Sequence, residues 1–497
     1  MHRFESCRGY HLLLLLDPYW RPAYRLIDAG VDSGTVALNE SPLARVLIAR
    51  PRDFVYHRVF LTAQAFMRVE AASGVVMLIA AIVAMAWANS PWWESYFDFW
   101  HTKVFVDADI FQIDLDLREW VNDALMTLFF FVVGLEIKRE LAHGELSNVR
   151  SALLPAAGAL GGMAAPALIY TFLNLGEPGA HGWGVPVATD IAFAVGVLSL
   201  LSRRVPFSLK VFLLALAIAD DIGGIIVIAI FYAGNVDFFA LGLAALTLIV
   251  IALMNRSGVR TINIYVAAGA ILWLTMLESG VHAALSGVIL GLLAPASYFY
   301  NPRTFVDAAQ DLIDRFKLAQ ETENEEVQAN ILSQMEDLTS GTEAPLDRLE
   351  RALQGWVGFG VVPIFALANA GVHVSGDTAD AAISSTISQG VFFGLLLGKP
   401  VGIFLVTWLA VRLGICEMPR GATWPQVLGI GMLGGIGFTV SLLITDLAFE
   451  RELFIDEAKL GVLVASVAAA IVGLAFLWLT TSQPTHETSA EEVAADP

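Results

Sequence analysis

The chain lacks most of what a soluble enzyme is built from. Of its 497 residues only 15% are charged, and only two are cysteine, Cys7 and Cys416, which have no metal-ligand spacing and imply no disulfide framework. The 29 Lys and Arg residues form no dense patch able to neutralise phosphates, so nucleic acid binding finds no support. The amino terminus does not read as a secretory signal peptide, because its apolar core at residues 11–16 is too short and no clear small-residue cleavage site follows. The net charge of −19 names no cationic partner either: much of the acid lies in 98–119, 321–343 and 491–496, which read as solvated loops and tail.

What is present is apolar sequence. Hydrophobic residues make up 56% of the chain and mean hydropathy is +0.65, far above a typical globular domain. Runs of membrane-span length recur from about Gly74 onward and predict an all-α polytopic membrane protein. About twelve transmembrane helices fit, at 74–94, 120–140, 151–173, 185–201, 207–232, 238–254, 262–277, 280–296, 355–374, 390–411, 425–446 and 457–480. Orientation follows from the basic residues near span ends. With the amino terminus inside, the inner loops hold Lys138, Arg139, Arg150, Arg203, Arg204, Lys210, Arg256, Arg260, Arg412 and Arg420, whereas the outer ones hold only Lys103, Arg118, Arg451 and Lys459. Both termini are therefore expected in the cytoplasm.

Residues 1–65 read as a cytoplasmic amino-terminal extension, 66–480 as the transmembrane domain, and 481–497 as an acidic, disordered tail. Two connections are long. Outer loop 95–119 contains Ile113, Leu115 and Leu117 alternating with Gln112, Asp114 and Asp116, the period of a half-exposed strand, and predicts a small external hairpin turning near Asp107. Inner loop 297–354 is polar, rich in Glu and Gln, and predicted as part helix and part disordered.

Charges inside the apolar runs point to function. Asp220 and Asp221 stand together in FLLALAIADDIGGIIVIAIFY (212–232), which holds no other charge. Burying one ionised side chain at mid-span costs about 2.5–3.5 kcal/mol on insertion scales, so such residues are rare and mark ion or proton paths. Asp190 follows Pro186 and Thr189 in VPVATDIAFAVGVL, where proline frees carbonyls that a membrane helix tolerates only beside a cavity or a neighbouring helix. Lys399 lies beside Pro400 with no acid in its own span, so its partner must come from another helix. The glycine-rich run 429–444 is open to two readings, an unwound centre or close helix packing. Asp123 opens the second span and is expected to be solvated, while Glu136 and Glu140 sit at its inner end with Lys138 and Arg139. His282 falls at a span edge.

These stretches, together with NDALMTLFFFVVGLEIKREL, SGVHAALSGVILG, PIFALANAGV, LLLGKPVGIF and GGIGFTVSLLI, closely resemble the NhaA-type sodium/proton antiporters, in order from about Val69 to Leu479. The resemblance implies a transporter and not an enzyme. It implies inverted repeats with two interrupted helices, the fourth and eleventh, crossing near the bilayer centre, an architecture for which the family is a standing example. It further implies that Asp220 and Asp221 bind the transported Na+, that Asp190 and Lys399 compensate the facing helix ends, and that Asp123, Glu136 and Glu140 lie on or near the ion path. His282 matches a family histidine linked to pH response, and a hairpin at 105–117 implies a homodimer. One departure stands out: where the best-studied family pattern has Glu–His–x–x–His, this chain keeps Glu350 but has Arg351 and Gln354 in place of both histidines.

Sodium is a hard cation that prefers oxygen ligands, so two carboxylates, the Thr189 hydroxyl and freed carbonyls suit it. Two unit charges 4 Å apart repel by about 4 kcal/mol at an effective dielectric of about 20, so the acid pair needs a proton or a metal cation to neutralise it. The expected function is exchange of cytoplasmic Na+ or Li+ for external H+ across a bacterial inner membrane, electrogenic and pH-regulated, with no cofactor beyond the transported ions and the bilayer as surroundings. Two other readings differ in class. An intramembrane aspartyl protease needs its carboxylates on facing helices and typically a GxGD motif, which this chain lacks; adjacent acids lie about 100° apart around one helix. A passive cation channel is not excluded by residue type and is separated by saturable, proton-coupled flux.

Overall fold

The computed structural model describes residues 51–107, 112–202, 204–234, 236–257, 262–297, 302–322 and 324–481. The chain divides into two units, 1–64 and 65–497. Of the first, only the beginning of helix α1 (Pro51–Ala88) is described, so most of the expected extension, and nearly all of the tail, lies outside the described residues. Every site below belongs to the second unit.

Among the described residues of the second unit the regular structure is helical apart from one hairpin. After α1 come the short α2 (Trp93–Trp100) and strands β1 (Lys103–Asp107) and β2 (Gln112–Asp116), which pair antiparallel with Val104 opposite Leu115 and Phe105 opposite Asp114. The hairpin that the alternating pattern predicts is therefore present, although residues of its turn fall outside those described. Helix α3 (Leu117–His143) follows directly, started by an Asp116–Glu119 capping box. Next are α4 (Val149–Leu173), the 3-10 segment α5 (Pro178–Val187) and α6 (Ile191–Ser199), then α7 (Phe207–Phe231), α8 (Phe238–Arg256), α9 (Ile262–Glu278) and α10 (Leu285–Leu293).

The inner connection contains α11 (Pro302–Glu321) and α12 (Glu325–Thr342), which pack together through Leu312, Phe316, Ala319, Ile331, Met335 and Leu338. The disorder expected for part of this loop is thus replaced by a helical pair across most of the described segment. Its apolar residues recur on one face of each helix at helical spacing, a pattern that overall polarity concealed. The chain ends with α13 (Pro345–Asn369), α14 (Gly376–Ser384), α15 (Thr386–Arg412), α16 (Trp424–Gly434), α17 (Phe438–Ala448) and α18 (Glu452–Thr480).

Each of the twelve expected spans falls on helix. Among the described residues eight helices are long and apolar enough to cross a membrane, and the bent pairs α5–α6 (47°) and α16–α17 (46°) bring the number to ten. Helices α9 and α10 are shorter, and the number of crossings rests there. The two bent pairs are the interruptions that the family resemblance implies for the fourth and eleventh spans.

Glycines let the backbones around the breaks pack closely. Gly161 and Gly402 bring α4 and α15 into backbone contact: a Cβ on Gly161 would fall 2.2 Å from the Gly402 carbonyl oxygen, and one on Gly402 would fall 2.0 Å from that of Gly161. Gly435, in the break between α16 and α17, would place a Cβ 2.5 Å from the Leu395 carbonyl oxygen. Both readings of the glycine-rich run therefore hold in one place, where the helix is interrupted and packed close.

Candidate functional site

The two interruptions meet. The Asp190 backbone N–H donates to the Ile436 carbonyl at 2.7 Å, and the Thr189 hydroxyl donates to the Gly434 carbonyl at 2.8 Å. Gly434 is the last residue of α16 and Ile436 lies in the break that follows it, so both carbonyls would otherwise be orphaned in an apolar interior. The Asp190 carboxylate serves the opposite polarity. It accepts from the Phe193 N–H at the start of α6 (2.9 Å), and from the Thr439 N–H (3.0 Å) and hydroxyl (2.7 Å) at the start of α17. One buried acid thus caps two half-helices whose positive ends converge on it.

Lys399 enters from α15. A wide π-turn at Gly394–Gly398 precedes it and Pro400, which has no N–H, follows it, so the helix is irregular where the lysine must reach inward. The side chain is fully buried; its ammonium donates to the Thr189 hydroxyl at 2.9 Å and forms an ion pair with Asp220. The acid missing from its own span is supplied by α7. Lys399 reaches the carbonyl end of α16 through the Thr189 hydroxyl, and its direct partner is a carboxylate. Thr189, Asp220 and Lys399 form one connected group, with Asp221 adjacent on α7. Asp220 and Asp221 are 2% and 6% exposed, and each has an Oδ1 atom buried with no hydrogen-bond partner. Of the two carboxylates only Asp220 pairs with the ammonium, which leaves on Asp221 a charge that a proton or a hard cation would neutralise.

The remaining candidates lie outside this group. Glu136, on α3, is buried within electrostatic reach of Glu70, Glu350 and Asp221. Glu350 is buried and ion-paired with Arg139. Glu140 caps the turn beyond α3 by accepting from the Glu145 N–H at 2.6 Å. Partial burial there pushes the Glu145 carboxyl up from its ordinary range, with the Glu140 charge adding to the effect. Asp123 was expected in solvent but is only 21% exposed, because it sits in a π-turn (Val121–Leu125) against the largely buried His282, whose Nε2 is 3.8 Å from Asp123 Oδ1. Arg351 pairs with Glu343 at 2.6 Å on the surface, whereas the Gln354 amide donates to the Glu70 carboxylate at 3.3 Å.

A protein-family profile described as Na+/H+ antiporter 1 matches residues 64–477. The chain belongs to that antiporter family. It is 45% identical over 443 residues to the "Na(+)/H(+) antiporter NhaA 2" of Sorangium cellulosum (strain So ce56), covering 89% of this chain and 94% of that relative. It is 43% identical over 424 residues to the protein of the same name from Syntrophotalea carbinolica (strain DSM 2380 / NBRC 103641 / GraBd1), at 85% and 97% coverage. The "Na(+)/H(+) antiporter NhaA" of Janthinobacterium sp. (strain Marseille) is 45% identical over 424 residues, at 84% and 93%. These antiporters are named as transporters and not as enzymes. The fold, a multi-pass helical membrane protein, agrees with the family.

Within this antiporter-family chain the sequence reading missed several buried polar residues. Thr439, which binds Asp190 through both its N–H and its hydroxyl, carried no signal beyond its place next to a glycine-rich break. Glu70 was passed over because it lies just before the first expected span. Asp446 was detectable in principle, as an acid in the last turn of an apolar run. Lys459 and Arg118 had been counted as outer loop charges, yet Lys459 is 2% exposed and both approach Asp446.

Proposed function

We propose that this chain exchanges cytoplasmic Na+ or Li+ for external H+ by alternating access at Asp220 and Asp221. The observation that carries the reading is a buried pair of adjacent carboxylates of which only Asp220 is paired with an ammonium, with an unpartnered oxygen on each. In the proton-loaded carrier, Lys399 neutralises Asp220 and a proton neutralises Asp221. A sodium ion that takes oxygens from both acids displaces the Asp221 proton and the Lys399 ammonium. A buried charge stripped of its partner is strongly destabilised, and release of the ammonium proton removes that charge. Two protons then leave for each sodium ion bound, so the exchange is electrogenic, and a membrane potential contributes about 2.3 kcal/mol per net charge per 100 mV.

Asp190 compensates the converging half-helix ends, and Thr189 offers a hydroxyl to the ion once Lys399 withdraws. Asp123 with His282, and Glu136 with Glu140 and Glu350, line the two approaches and modulate pH response. The basic-loop asymmetry supports a bacterial inner membrane setting with both termini cytoplasmic, and the exchange would serve sodium and pH homeostasis. The direct test is sodium-driven proton flux in proteoliposomes across a pH series spanning neutrality. Saturable, reversible exchange is expected, and sodium flux without proton movement would replace the antiporter by a channel.

A homodimer through the external hairpin follows from the same reading. Both strands of a two-stranded sheet are edges, and such a sheet alone is marginally stable, so pairing with a second copy would complete it. Deleting residues 105–115 is expected to give monomers that still exchange ions, since every proposed ligand lies in one chain. Size measurement in detergent checks this, and a dimer persisting after deletion would move the interface elsewhere.

Residues 351 and 354 separate regulation from transport. Arg351 stays charged and Gln354 never ionises. Arg351→His with Gln354→His is expected to shift the half-activation pH at unchanged maximal turnover, and Gln354→His to account for most of the shift because residue 354 touches Glu70. A pH titration of flux in the double and both single variants checks it, and loss of all activity would make these positions structural.

A further inference from the structure

The membrane helices form two packed groups. In the first, α15 packs on α4, α4 on α7, α15 and α16 on α18, and α17 on α5. In the second, α10 and α13 pack on α3, and α9 packs on α10. The ion-site residues Thr189, Asp220, Asp221 and Lys399 all belong to the first group. Between the groups α3 packs on α7 and α13 on α17, Ile225 and Ala229 of α7 pack against the α8–α10 cluster, and α1 touches both sides, with Gly74 against Ala192 and Ser73 against Gly358.

A buried polar cluster that the exchange chemistry does not use lies across that seam. Arg118 of α3 forms an ion pair with Asp446 of α17, and the Asn122 amide donates to the other Asp446 carboxylate oxygen at 3.1 Å. Arg118 Nε also donates to the Asn369 side-chain oxygen at 3.1 Å, and the Asn369 amide donates to Asn122 at 2.7 Å. Lys459 of α18 lies 3.2 Å from Asp446 on the first group's side. The acid and Lys459 are 12% and 3% exposed at their side chains, and Arg118 is 23% exposed. The contrasting pair Arg139–Glu350 stays inside the second group.

Two features suit this cluster to repeated opening. First, its place: the Leu117 N–H, one residue before Arg118, bonds to the Thr102 carbonyl at the foot of the hairpin. Arg118 is therefore at the hairpin end of α3, about 32 Å along the helix from Arg139 at a rise of 1.5 Å per residue. Second, its charges divide evenly when the groups part. Asp446 keeps Lys459, so no unpaired anion stays buried in the first group, while Arg118 keeps Asn369 and gains water. Breaking a buried pair is prohibitive mainly when it strands a charge, and here the second cation prevents that.

We propose that Arg118 and Asp446, braced by Asn122 and Asn369, form an ion-pair latch that shuts the hairpin side of the ion site and must part each time that side opens. They are positioning residues and touch no transported ion. The inference rests on the alternating-access reading given above.

The test uses the full chain in oriented proteoliposomes, with the apparent KM for Na+ measured separately on each face. Arg118→Gln weakens the latch and leaves the Asp446–Lys459 pair intact, so the population shifts toward the form open on the hairpin side. At least about a fivefold change is expected, with KM falling on the hairpin face and rising on the opposite face. Arg118→Lys should restore both values toward wild type. As a second measurement, Arg118→Cys with Asp446→Cys, made in a chain with Cys7 and Cys416 replaced by Ser, should lose exchange when bridged by a short bis-methanethiosulfonate reagent and regain it on reduction. Unchanged KM on both faces, a parallel rise on both, or full turnover by the reagent-bridged protein would overturn the latch. If Arg118→Gln does not fold, the cross-link decides. Absence of exchange in the wild-type chain would instead remove the transport reading itself.

Discussion

The Asp221→Asn variant is expected to fold, insert and carry no sodium-driven proton flux. The amide is nearly isosteric with the carboxylate, so packing around α7 is kept, but it can neither release a proton nor offer a negative charge to sodium. The Asp221 side chain holds no ion pair that the substitution would break, and its buried Oδ1 has no partner to lose. The loss should therefore be one of transport without one of stability. Asp220→Asn is expected to impair exchange almost as severely, because it removes the partner of Lys399 together with one sodium ligand. Flux at wild-type rates in the Asp221 variant would refute the site.

Lys399→Ala is expected to produce the largest loss of stability of any single substitution in the site. Removing one member of a buried ion pair costs about 3–5 kcal/mol, because the remaining charge is left without compensation. Here that charge is Asp220, and the Thr189 hydroxyl loses a donor as well. Thermal unfolding in detergent should show a clear fall in melting temperature. The double variant Lys399→Ala with Asp220→Asn should recover much of it, since no charge is then stranded, while exchange stays absent. A melting temperature unchanged by Lys399→Ala would place the lysine outside the buried pair.

Much of the fold was legible before the structure because apolar length and buried charge are local signals. Twelve apolar runs, the strand-like alternation at Ile113 and Leu115, and the acids at 190, 220 and 221 each stand out within a window of about twenty residues. What could not be read was which charges meet. Lys399 announces that it needs an acid, but nothing local says that Asp220, 179 positions earlier, provides it. The same holds for Asp446 with Arg118 and Lys459, where residues that resemble ordinary loop charges become buried through packing of distant helices. Asp123 was misjudged for the related reason that the start of a span need not face water when another segment, here that of His282, covers it. In the inner connection, the polar composition concealed an amphipathic helical pair.

Competition of sodium and protons for the Asp220 and Asp221 carboxylates is the step on which the proposed exchange depends. Its most direct measurement is calorimetric titration of the purified wild-type protein with sodium in buffers of different ionisation enthalpy, which counts the protons released per sodium ion bound. Close to two protons are expected to be released where both exchanging groups are fully protonated, with apparent sodium affinity falling about tenfold per unit of pH lowered for each proton displaced, and no sodium is expected to bind the Asp221→Asn protein. Sodium binding that releases no protons and does not vary with pH would contradict it.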